Sequence, residues 1–93
     1  MTSGPLLLIS MERNIDTSVT DRWFQAYDDL RSTGRLSQRS VCRALCVDRR
    51  NFAQQEKDHA RRILRLSWLS YLVLEHGVSA DWLLTGRGWP FGA

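Results

Sequence analysis

Apolar positions along this chain of 93 residues recur at helical spacing, with almost no alternation of the β type and only two prolines. That pattern predicts short helices. Trp23, Phe24, Tyr27 and Leu30 fall on one stripe, which predicts a first helix from about Asp21 to Thr33, stopped by Gly34. A second, from about Gln38 to Leu45, turns Val41, Ala44 and Leu45 inward and sets Arg39 and Arg43 nearly opposite. A third, from Arg49 to about Asp58, buries Phe52, and the positions opposite Phe52 are Arg50, Gln54 and Lys57. A fourth, from about Leu66 to His76, turns Leu66, Leu69, Leu72 and Val73 inward but carries Trp68, Tyr71 and Leu74 on other faces. It is apolar nearly all round, so more than one of its sides needs covering. A short fifth helix follows Ser79 and ends at Gly86.

The helix starts repeat one design. Thr20, Ser37, Asp48 and Ser79 can each accept a hydrogen bond from free amides of the turn that follows. Each is bracketed by an apolar pair, Val19 with Phe24, Leu36 with Val41, Val47 with Phe52 and Val78 with Leu83, as a hydrophobic staple requires. The expected fold is all-α: a compact five-helix bundle in which helices 2 and 3 form a helix-turn-helix.

Composition narrows the class. An apolar share of 43% and nine aromatics, four of them Trp, are ample for one small core and argue against disorder. The only apolar run near the N-terminus, Leu6 to Ile9, is too short for a secretory signal or a membrane span, which predicts a cytoplasmic protein with no membrane contact. The expected layout is a disordered leader over 1–18, with Met11 an alternative start, a helix-turn-helix domain over 19–88 and a tail over 89–93.

Charge changes the picture further. The net +3 is unevenly spread: residues 1–30 hold two Arg against five acids, and residues 66–93 hold Arg87 against Glu75 and Asp81. Between them, residues 31–65 hold nine Arg and Lys57 against Asp48, Glu56 and Asp58, a net +7. A basic block on the stretch that reads as helix-turn-helix is the electrostatic footprint of a phosphate-binding surface; the plain alternative is a solvated face. Arg outnumbers Lys twelve to one, and its planar fork suits phosphate oxygens and guanine edges, although a GC-rich coding sequence biases the same way. The expected partner is double-stranded DNA. Arg50 and Gln54 are the expected base readers, with Asn51 in reserve. Gln38, Arg39, Arg43 and Arg49 would hold phosphates, the helix 2 amides beside Gln38 assisting. Lys57, Arg61 and Arg62 would extend that grip.

With these residues in view, the chain resembles the Cro/repressor-like superfamily of helix-turn-helix domains, the xenobiotic-response-element type, over about residues 20–88. The family's signature opens helix 2 with Gln, met by Gln38, and locks the two helices with four apolar positions, met by Val41, Leu45, Val47 and Phe52. Cys42 stands where the family places Ala or Gly, Cys46 where it places the Gly of the tight turn, and Gln55 where it places an apolar residue. The stretch His76 to Gly88, HGVSADWLLTGRG, is similar to a closing segment common in phage- and mobile-element-related members. The resemblance implies a lambda-repressor-like bundle and a transcriptional regulator, a homodimer reading half-sites about 34 Å apart with helix 3. It also accounts for both cysteines as small residues inside the helix pair, Cys46 at a cost of about 1 kcal/mol if left-handed.

An enzyme is not expected. Cys42 and Cys46, four apart on one helix, do not have a structural zinc spacing, and His59 and His76 do not follow at finger-like distances. Neither a glycine-rich phosphate loop nor any mark of a cofactor, metal or small-molecule pocket is legible. The rival expectation is a protein-binding adaptor, or an antitoxin-like module, that uses helix 4 and the Trp89–Phe91 tail. In that tail a dimer contact and folding back over the monomer are equally open.

Overall fold

A computed structural model describes the backbone of residues 3–91 and, from Thr17 to Phe91, the side chains as well. It is an all-α bundle of five helices: α1 Ser3–Ser32, α2 Gln38–Leu45, α3 Arg49–Lys57, α4 Leu66–His76 and α5 Ala80–Thr85. There is no strand among the described residues, only an isolated antiparallel bridge between Val78 and Phe91.

α1 is longer than the apolar pattern predicts. It begins at Ser3 rather than at about Asp21, and Met1 and Thr2 lie outside the described residues. Pro5 sits in the first turn, where its missing N–H has no helical partner to lose, and neither glycine nor proline interrupts the chain between Pro5 and Gly34. Thr20 is therefore not an N-cap: it is buried inside α1 at 2% exposure, and the expected Val19–Phe24 staple does not mark a helix start.

The expected stripe on α1 is the centre of the core. Trp23, Phe24, Tyr27 and Leu30 are buried with Val41 and Cys42 of α2, Phe52 of α3, Trp68 and Leu72 of α4, and Trp82 and Leu83 of α5. Phe52 stacks on Trp68 with centroids 5.5 Å apart and meets Trp23 edge-on at 6.0 Å, aromatic pairs worth about 0.5–1.5 kcal/mol each beyond their burial. The Trp23 indole N–H donates to the Trp68 carbonyl at 2.8 Å. The Tyr27 hydroxyl is buried without a partner.

Two inward assignments are corrected. Leu66 is 75% exposed, whereas Trp68, expected on another face, is buried. The two lie about 200° apart around a helix, so only one can point inward, and the larger side chain removes more apolar surface from water. Ala44 is exposed because α2 turns Val41 and Cys42 into the core, which carries Ala44 round to the rim.

α5 is fastened to α1 by Arg22, whose Nε donates to the Leu83 carbonyl at 2.9 Å and whose second guanidinium nitrogen donates to Leu84 at 3.2 Å. A cation satisfies the terminal carbonyls of that helix. The tail folds back over the monomer: Ser79 N–H donates to the Pro90 carbonyl at 2.8 Å, and Phe91 packs against the core while Trp89 stays 72% exposed.

Candidate nucleic-acid interface

α2 opens on a reciprocal cap. Ser37 accepts from the Ser40 amide at 3.1 Å, and the Ser40 hydroxyl accepts from the Ser37 amide at 3.0 Å, a capping box with Ser in place of the usual Glu or Gln. The helix ends at Cys46, left-handed at φ 54 and ψ 43. There the Cys46 amide donates to Arg43 and the Val47 amide to Cys42, the paired closure of a Schellman turn. This turn brings α3 back across α2 after only three linking residues, Cys46 to Asp48.

Asp48 occupies the N-cap of α3 with extended backbone, but its carboxylate makes no cap hydrogen bond, so the expected cap is present in position only. The two cysteines also divide. Cys42 is buried as expected and burial pushes its thiol up, with Arg49 opposing the shift and Asp48 adding to it. Cys46 is exposed: the left-handed turn swings its side chain out of the helix pair.

The eight residues expected to meet DNA lie along α2 and α3. Arg39 and Arg43 of α2 and Arg49, Arg50, Asn51, Gln54 and Lys57 of α3 are exposed, and Gln38 is half-buried. Phe52 at 0% exposure fixes the rotation of α3, and so turns the Arg50, Gln54 and Lys57 stripe outward. Among the described residues the only close contact between a basic group and a carboxylate joins His59 to Asp21, which leaves the cations of this face without a carboxylate partner.

Gln55 is the buried neighbour of this face that spacing missed. It is 4% exposed, and its Nε2 donates to the carbonyls of His59 and Arg62 at 3.1 Å each. The turn after α3 is also held by Asp58, which accepts from the Arg61 amide at 3.1 Å and from the Ala60 amide at 3.2 Å. The His59 ring stacks on Phe24, 4.9 Å between centroids and 9° between planes. Arg61 and Arg62 therefore project, exposed, from a turn whose backbone is pinned beside α3. The one available signal was a polar residue at a position of apolar period.

The described residues contain no group of His, Cys, Asp and Glu able to hold a metal ion and no helix long and apolar enough to cross a membrane. Comparison with protein-family models, with curated proteins and with solved structures finds no match. Chemically, the face offers guanidinium forks, one ammonium and neutral amides on two short helices, a set suited to anionic oxygens and to mixed donor and acceptor edges.

Proposed function

We propose that the protein is a sequence-specific DNA-binding transcriptional regulator of the Cro/repressor-like kind, acting in the cytoplasm as a homodimer with one α3 in each of two successive major grooves. The observation that carries this reading is the exposed Arg50, Gln54 and Lys57 stripe on α3, opposite fully buried Phe52. Arg50 would bridge the acceptors of a guanine and Gln54 would pair with an adenine, with Asn51 within reach of the same groove. Arg39, Arg43 and Arg49 would grip phosphates, with the α2 N-terminus beside Gln38 adding its amides. Selection against random-sequence duplexes, followed by affinity measurement at two salt concentrations, tests it. An enriched inverted repeat bound with steep salt dependence supports the regulator; weak, sequence-blind binding refutes it.

A second reading rests on a different observation. Leu66, Leu69, Val73, Leu74, Leu83 and Leu84 line an apolar groove between α4 and α5, and Leu66, Leu74 and Leu84 are more than half exposed. Such a patch favours a protein partner, and an adaptor that used it would bind almost independently of salt.

A further inference from the structure

A cleft of about 200 Å3 opens beside α3, away from its Arg50, Gln54 and Lys57 stripe. Its lining joins an apolar patch, half-buried Leu45 and Leu64 and Trp68 at 7% exposure, to the amides of exposed Asn51 and buried Gln55. Its rim carries three guanidinium groups, Arg61, Arg62 and Arg65, against the single carboxylate of Asp48. None of the three arginines is ion-paired among the described residues. Ile63, between two of them, is 74% exposed at the same rim, an apolar side chain that the core leaves uncovered. The backbone bearing Arg61 and Arg62 is held by Gln55, itself a lining residue, so the stretch of chain that carries these two arginines is positioned before any ligand arrives.

We propose that this cleft binds a small organic acid, its apolar end on Leu45, Leu64 and Trp68 and its carboxylate between Arg62 and Arg65. The volume lies below the roughly 300–1,000 Å3 of pockets for drug-sized molecules, which limits the occupant to one ring or a short branched chain. A free phosphate or a nucleic-acid backbone would use the rim and leave the apolar patch wet. The combination of patch and rim selects an amphipathic anion. The site shares Asn51 with the DNA reading, and Arg61 and Arg62 with the phosphate grip expected from the sequence, but its ligand is a separate one.

The test is a titration of the full chain, without DNA, followed by backbone amide NMR, using benzoate, benzyl alcohol and inorganic phosphate as probes. Benzoate is expected to shift amides in 45–51 and 61–65 and to bind at least about tenfold more tightly than either other probe, the worth of one hydrogen bond to a charged group. Arg62→Gln and Arg65→Gln alter exposed side chains and should each weaken benzoate by about tenfold while leaving the remaining spectrum in place. Phosphate binding as well as benzoate at these amides would reduce the cleft to a charge site and overturn the proposal. Equal binding of benzyl alcohol, or no benzoate binding tighter than about 10 mM, would overturn it too.

Discussion

Tyr27 combines full burial with a hydroxyl that meets no partner, and an unsatisfied buried polar group costs about 1–3 kcal/mol. Tyr27→Phe removes that group and keeps the ring stacked on Trp23, so it should stabilise the fold by about 1 kcal/mol in urea unfolding; a loss of stability would mean that the hydroxyl is satisfied in solution. Burial is also the main cause that raises this phenol above its ordinary 10.0 and the Cys42 thiol above its ordinary 9.0. Both groups are neutral when protonated, and the folded state holds the proton more tightly than the unfolded chain. Their contribution is thus complete below the unfolded values and lost as pH climbs past about 9 and then 10. In Tyr27→Phe the loss above pH 10 should shrink, an effect read from unfolding midpoints along an alkaline series. At this scale the sequence was legible where one large side chain decides the direction of a helix, as Phe52 does for α3. It was misleading at Leu66 and Ala44, because the rotation of α4 and α2 answers to Trp68 and Cys42 in the packed core, and single-helix periodicity does not contain that competition.

The α2–turn–α3 element shows how much a boundary signal can carry. α2 over Gln38–Leu45 and α4 over Leu66–His76 match the bounds read from caps and apolar spacing, since Ser37 caps the first and Gly77, left-handed at φ 70, stops the second. The Thr20 signal failed because a good N-cap residue starts no helix when the preceding segment continues one. The Asp48 signal gave the right position without the bond. Within the turn, Cys46 holds a left-handed conformation that costs a non-glycine residue roughly 1–2 kcal/mol. Cys46→Gly should therefore raise the melting temperature by about 4–8 °C per kcal/mol gained, reduced by the greater freedom that glycine lends the unfolded chain; an unchanged or lowered midpoint would show that the turn is relaxed as it stands. The two helices also invite a division of labour. Arg50→Ala should relax base preference at one or two positions with a loss of about 1–3 kcal/mol, whereas Arg43→Ala should weaken every duplex alike and lower the salt slope by about one. Parallel affinity profiles for the two variants would remove the distinction between reader and anchor.

Across the whole molecule, the basic charge and most of the exposed apolar side chains lie on different elements, Ile63 among the arginines excepted. The basic block of 31–65 surfaces on α2, α3 and the turn that follows, while the exposed leucines gather on α4 and α5. The charge segregation was legible from a tally of residues, because charge stays outside whatever the fold. The cleft beside α3 was not, since its walls come from segments brought together only by folding, and Gln55, which shapes it, looked like a defect in an apolar period. Yet that neutral amide determines how the arginine turn responds to its surroundings. A turn held by ion pairs alone would loosen as salt screens them, whereas the neutral bonds from Gln55 to the His59 and Arg62 carbonyls respond far less to ionic strength. Whatever anion Arg61 and Arg62 meet, the backbone entropy of their turn was spent when the chain folded, and salt can weaken the encounter without dismantling the turn that makes it.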